Sequence, residues 1–233
     1  VGFGFPLYST PLIALFINIK LVVILTVIPN LIVTTFCILR DGKLSEELKK
    51  YWTMAIYVLL GTLVGSHALL YFNDNILKLI LSLMIIAYLI QEWFKNLTFF
   101  KTISSYWITG PIVGLLAGFL AGSVNVSSIP LVIYFLSLDL TPFSMIQLLN
   151  LCFAVGKGAQ FISLSLAGVM SSEPLWILAL LSLVSAVGVL LGFYFYRDIS
   201  IQSYRRLVNV VLSVIAVVLI FQVVQYEFSS LRS

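Results

Sequence analysis

From Leu21 to Leu39 the chain carries no charge at all, and Lys20 and Arg40 bound that run. A helix needs roughly 20 apolar residues to cross the hydrocarbon core of a bilayer, so this stretch reads as a full span. Runs of the same kind fill 51–72, 76–94, 141–168 and 174–196, and another opens at Tyr204. Composition agrees: 9% of the residues are charged and 61% hydrophobic, with a mean hydropathy of +1.12. A soluble domain carries about 25% charged residues. A β-barrel would show short alternating segments, and these runs do not alternate. The expected fold class is an all-α integral membrane protein. The net charge of +4 is spread over loops, so it reads as a topology signal and not as a nucleic-acid patch. Cys37 and Cys152 sit in apolar runs and read as small core residues.

One apolar run is interrupted. Gly118-Phe-Leu-Ala-Gly-Ser-Val-Asn-Val-Ser-Ser-Ile-Pro-Leu-Val-Ile-Tyr134 begins as helix, loses helical character over Ser123–Ser128 and restarts with Pro130 in the first turn. Proline is tolerated there because that N–H has no helical partner anyway. Lipid cannot satisfy the backbone groups a break exposes, so the break must be buried in protein or line a wet cavity. The restarting helix aims its amides and the positive end of its dipole into that cavity, which suits an anion. A shorter version opens the chain: Gly2-Phe-Gly-Phe-Pro-Leu-Tyr-Ser-Thr-Pro11 is expected to be a Gly/Pro-broken segment, with a helix starting at Pro11.

The two breaks head two similar halves, 1–100 and 101–233. Pro130-Leu-Val stands where Pro11-Leu-Ile stood, an offset of 119, and Gly188/Gly192 answer Gly61/Gly65 at an offset of 127. Paired interruptions at matching places are the sequence pointer to a transporter site. Basic residues set the orientation. Loop 40–50 holds Arg40, Lys43, Lys49 and Lys50 and is expected to be cytoplasmic, while its counterpart after Gly168 has none. The turn at 73–75 lacks basic residues, whereas 197–206 has Arg197, Arg205 and Arg206. Equivalent loops have opposite bias, so the halves are expected to be inverted-topology repeats. Each would comprise a re-entrant (broken) helical hairpin plus three transmembrane helices. The competing arrangement, a broken helix that spans fully and leaves the halves parallel, puts the basic-free loop inside. Residues 108–122 precede the second break but only Val1–Phe3 precede Gly4, so the first limb of the first hairpin is expected to be truncated. The sequon Asn96-Leu-Thr98 falls in a connector expected to be cytoplasmic through Lys95 and Lys101, which argues against glycosylation.

Candidate ligand-binding residues follow from the breaks. Asn125, Ser127 and Ser128 stand at the second, and Tyr8, Ser9 and Thr10 at the first. Together they offer neutral donors to an oxyanion, or else they cap the restarted helices. Lys157, in Gly156-Lys-Gly158, lies deep in the span from Thr141. An intramembrane cation costs roughly 2.5–3.5 kcal/mol on insertion scales and marks function by default. Its alternatives are a snorkelling side chain or a structural ion pair in a cavity. Gln147, Asn150 and Gln160 share its helix; Asn150 and Lys157 are seven apart and on one face. His67 is read either as a proton-coupling group or as a helix–helix hydrogen-bonding residue. The pairs Gly61/Gly65, Gly114/Gly118/Gly122 and Gly188/Gly192 read as close helix packing. Trp52, Trp93, Trp107 and Trp176 fall near span ends, as an aromatic belt requires.

Gly2 to Leu12, Gly114-Leu-Leu-Ala-Gly-Phe-Leu-Ala-Gly-Ser123 and Pro130-Leu-Val-Ile-Tyr134 resemble the sulfite exporter (TauE/SafE) family of membrane permeases. The resemblance covers essentially the whole chain. It implies a secondary transporter of small oxyanions, sulfite or short organosulfonates, working by alternating access. Where a Gly-Gly-Pro type turn is common in the family, this chain has Asn125-Val-Ser-Ser-Ile-Pro130, which offers more side-chain donors and less bare backbone. The rival functions are a passive anion channel and a non-transporting membrane subunit. An enzyme is not expected, because no nucleophile–base pair stands at depth. No cofactor or metal is expected. The expected partners are a small anion, the lipid bilayer of the cell membrane and a coupling ion such as a proton, but not nucleic acid; oligomerisation stays open.

Overall fold

The computed structural model describes residues 5–41, 45–93, 106–138, 140–170, 175–195 and 201–230. Gly2 and Gly4, Lys43, the connector 95–105 with its sequon, Asp139, Glu173 and Arg197 lie outside the described residues. For Tyr8, Trp93, Trp107, Gly192, Arg205 and Arg206 only the backbone is described. The described residues form helices and connecting turns, with no strand among them. In order these are α1 (Phe5–Ala14), α2 (Ile19–Asp41), α3 (Glu46–Tyr51), α4 (Thr53–Tyr71), α5 (Asp74–Trp93), α6 (Tyr106–Val124), α7 (Ser128–Ser137), α8 (Pro142–Leu166), α9 (Leu175–Phe195) and α10 (Ile201–Ser230).

Among the described residues, Ile19–Arg40, Thr53–Tyr71 and Pro142–Leu166 are long and apolar enough to cross a membrane. The bundle is apolar outside and partly polar inside. Leu60, Val64, Leu116, Leu183 and Val217 are exposed, whereas Thr10, Asn30, Asn125, Asn150, Lys157 and Gln160 are buried. Water would reverse that preference, and lipid explains it. Trp52 and Trp176 are exposed at the starts of their helices, where an interfacial indole belongs.

One expectation changes here. α1 is helical from Phe5, with Pro11 inside it. Tyr8, Ser9 and Thr10 therefore stand on a helix, and the expected start at Pro11 is one turn and a half too late. Proline in that place removes one N–H and leaves the Leu7 carbonyl without its helical donor; packing of α1 on α2 outweighs the weak helix propensity of Tyr-Ser-Thr. The span expected over 51–72 is α4, and the short α3 leads into it, the two meeting at Trp52. α3 is capped by Ser45, whose Oγ accepts from Leu48 N at 3.2 Å, and its Glu46/Glu47 and Lys49/Lys50 complement the dipole at its two ends.

The closest packing joins α4 to α6, and glycines allow it. A Cβ on Gly118 would lie 2.8 Å from Thr62 N, and one on Gly122 would lie 2.6 Å from Ser66 N. Cβ atoms on Gly61 and Gly65 would collide with the Leu115 and Phe119 carbonyl oxygens. Gly114 faces Met54 and Tyr57, Gly118 faces Val58 and Thr62, and Gly122 faces Thr62 and Ser66. The numbers rise together, so α4 and α6 run in the same direction. Gly188 behaves otherwise: nothing lies within 4 Å of its would-be Cβ, so the expected packing role is not met there.

Polar contacts fix the helix ends. Ile19 N donates to Asp74 Oδ1 at 2.7 Å and Lys20 Nζ to the Leu70 carbonyl at 2.9 Å; α2 thus begins where α4 ends. At the other end Ser144 Oγ donates to Glu47 Oε2 at 3.0 Å and Ser45 N to Gln147 Oε1 at 3.0 Å. α8 therefore begins beside α3, at the end where α4 starts.

The glycine register predicts a sharp contrast between two substitutions. Gly118→Val should lower stability by about 1–3 kcal/mol, since overpacking forces backbones apart. Gly158→Ala, with nothing within 4 Å, should leave the melting temperature unchanged or raised, because alanine is the better helix former by about 1 kcal/mol. Thermal unfolding in detergent would measure both.

Candidate anion site at the helix break

α6 ends at Val124 because Asn125 adopts φ 64°. Asparagine tolerates this left-handed conformation better than other residues bearing a Cβ, and it often ends helices in place of glycine. Val126 N then returns to the Leu120 carbonyl at 3.3 Å. The Asn125 side chain, 1% exposed, is held on three sides. Its Nδ2 donates to Thr10 Oγ1 at 2.6 Å and to Thr26 Oγ1 at 3.0 Å, and its Oδ1 accepts from Asn30 Nδ2 at 3.3 Å. The break is thereby tied to α1 and α2, and Thr10 and Asn125 come together as hydrogen-bond partners.

The far side of the break is tied to α8. Gln160 Nε2 donates to the Gly122 carbonyl at 2.9 Å and the Ala121 carbonyl at 3.4 Å. Lys157 Nζ donates to Gln160 Oε1 at 2.5 Å and to the Ala121 carbonyl at 3.5 Å. A cation at the carbonyl end of α6 is favoured by the helix dipole and by the last-turn oxygens that lack helical donors. Lys157 is 5% exposed, so it does not snorkel. No carboxylate lies within ion-pair distance of it among the described residues, where the ion pairs are Lys49–Glu46 and Lys78–Asp74. Packing around it is one-sided: a Cβ on Gly156 would meet Thr62 Oγ1 at 3.3 Å, while Gly158 is open.

α7 restarts with no side-chain cap. Ser127 occupies the cap position at φ −103°, ψ −12° without a capping hydrogen bond, so the capping role is not realised there. The amides of the first α7 turn have no intrahelical partner. Ser128 Oγ is buried without a hydrogen-bond partner, and so are both polar atoms of Asn150. An unpaired buried polar group costs about 1–3 kcal/mol, which is the mark of a place made for a guest or a water. Asn150 stands two turns before Lys157 on the same face of α8, about 10 Å along its axis.

The remaining candidates are placed as follows. Ser9 is half-buried on α1. Gln147 accepts from Ser45 N at the end of α8, so it leaves the polar stripe. His67 is exposed on α4, and the structure does not bring it to the break. Thr26 and Asn30, both buried on α2, were not among the residues expected at the site. Their signal was their position beside Pro29, a helix interruption that frees the Leu25 carbonyl.

Asn125 carries two separable duties. Asn125→Gly keeps the backbone and loses the side-chain bonds, each worth about 0.6 kcal/mol inside a membrane bundle. Asn125→Val loses the bonds and adds left-handed strain of roughly 1–2 kcal/mol. Melting temperatures should therefore fall in the order wild type, glycine, valine, with valine roughly one and a half to two times as damaging as glycine.

The comparisons bear on this arrangement as a whole. The family model described as Sulfite exporter TauE/SafE matches residues 1–219. No curated protein and no solved structure matches the chain. A match over nearly the full length, on a bundle that is apolar outside and polar at its helix break, places this multi-pass membrane protein among transporters of sulfur anions: the chain belongs to the sulfite exporter TauE/SafE family.

Proposed function

We propose that the chain is a secondary carrier of a small sulfur oxyanion, sulfite or a short organosulfonate, and works by alternating access. The anion sits at the α6–α7 break, met by the first-turn amides of α7, Ser127, Ser128, Asn150 and the Lys157–Gln160 pair. Tyr8, Ser9 and Thr10 bring α1 to the same place, Thr10 through its bond to Asn125. One observation carries this reading: Lys157 is buried at the carbonyl end of α6, at a break whose other side is the uncapped start of α7, with no carboxylate within ion-pair distance among the described residues. An anion is what completes such a place electrostatically.

The same reading makes α6–α7 a re-entrant hairpin in the second of two inverted repeats. Support comes from helix direction. α6 runs with α4, α8 begins at the end where α4 starts, and α7 stops at Ser137, just short of α8 at Pro142. A hairpin that enters and leaves at one face satisfies all three. Helix boundaries support the repeat: α1 and α7 are 10 residues each and begin 123 residues apart, as do α2 and α8. That register supersedes the offset of 119 taken from the two prolines. The loop 40–50 faces the cytoplasm of the cell membrane in this arrangement, on its basic residues. A proton or other ion couples the cycle.

Purified protein in liposomes should take up sulfite and short sulfonates saturably and exchange them across the membrane. Conductance without saturation would make it a pore. Lys157→Gln should cut uptake roughly ten- to hundredfold, the worth of a charge-assisted hydrogen bond of about 1.5–3 kcal/mol, while the melting profile in detergent is retained. Unchanged uptake would remove the lysine from the mechanism.

A further inference from the structure

We propose that the site selects its cargo by valence: it takes a singly charged oxyanion, such as an alkyl sulfonate or the protonated monoanion of sulfite, and rejects doubly charged ones such as sulfate. The inference rests on the carrier reading above and adds the charge of the cargo.

The charges available at the break set the rule. The acidic residues among those described all stand at helix ends. Asp41 closes α2, Glu46 and Glu47 open α3, Asp74 opens α5, Glu92 is next to last in α5, and Glu227 is in the last turn of α10. Lys157 stands past the midpoint of α8, and among the described residues no acid lies within ion-pair distance of it. The backbone adds little net charge, because the break brings the negative end of α6 and the positive end of α7 to one place, with opposite half-charges. The sum is a single positive charge.

One negative charge makes that sum zero. A second leaves the buried site as uncompensated as before, with the sign reversed, where low dielectric magnifies the penalty. Within the protein that one charge is met by Gln160 Oε1 and the Ala121 carbonyl. For a dianion the break offers no second cation. What it offers is the neutral, unpartnered Ser128 hydroxyl, with the unpartnered Asn150 amide two turns before Lys157 on α8, and such groups hold and orient oxygens without adding charge. Gln160 matters for the same reason. It is the neutral isostere of a glutamate, and a carboxylate there would occupy the charge that the cargo needs.

The test is counterflow of labelled methanesulfonate by the full chain in liposomes, with unlabelled methanesulfonate or sulfate as competitor. Sulfate should need at least about a tenfold higher concentration for the same inhibition, since uncompensated like charge costs a factor of that order or more. Equal competition by sulfate overturns the valence rule and leaves the carrier reading standing. Absence of saturable counterflow for either anion overturns both. Gln160→Glu supplies the internal carboxylate, and should raise the KM for methanesulfonate at least about tenfold while Lys157 keeps its acceptor. An unchanged KM in that variant also overturns the proposal. The wild-type competition decides the matter even if the variant does not fold.

Discussion

A helix that stops inside a bilayer leaves carbonyl and amide groups that no solvent can reach, and a part of this molecule's polar interior serves to satisfy the carbonyls. Asn125 does so through its backbone, by a left-handed turn that returns Val126 N to the Leu120 carbonyl, while its side chain ties the break to Thr10, Thr26 and Asn30. Gln160 and Lys157 do so from α8, by donating to the Ala121 and Gly122 carbonyls. The glycines between α4 and α6 remove every side chain that would hold those helices apart. Mutual dependence follows: the close α4–α6 approach sets where α6 ends, and where α6 ends decides which carbonyls Lys157 meets.

The two sides of the break are treated differently, and the difference has a functional sense. The carbonyl end of α6 is met by cationic and amide donors, so it is closed chemically. The amide end of α7 lacks a side-chain cap, and the Ser128 hydroxyl and Asn150 amide are left without partners. Folding alone would favour pairing these groups, since each unpaired one is costly. A carrier benefits from the opposite, because donors already paired with protein would have to be stripped before they could hold an anion. Lys157 stands between the two regimes: it is paired with neutral acceptors, which steady an ammonium without cancelling its charge.

How much of this could be read from the residues themselves varies with the range of the physics involved. The spans of α2, α4 and α8, the interruption near Ser123–Ser128 and the depth of Lys157 depend on local apolar length and helix-breaking chemistry, which any single stretch displays. The glycine spacing of α4 and α6 announced close contact for the same reason. The start of α1 did not: Pro11 looks like a beginning, and only packing against α2 shows that the helix is already under way at Phe5. Gln147 and Gln160 look alike along α8, yet one meets Ser45 at the helix end and the other the break. Gly61 and Gly188 look alike too, and one is crowded while the other is open.

What the sequence by itself determined is therefore the class of object: an apolar helical bundle, with a break that cannot face lipid and a cation that cannot be left alone. Only the tertiary structure decided who keeps company with whom. It set Asn125 on Thr10, Lys157 on the carbonyl end of α6, and His67 on the exposed side of α4. The physical reason is that burial, helix length and breaking are properties of a segment, whereas a hydrogen-bond partner depends on the rotation and register of two helices about one another. Those come from packing summed over whole faces, and no single stretch of residues carries that sum.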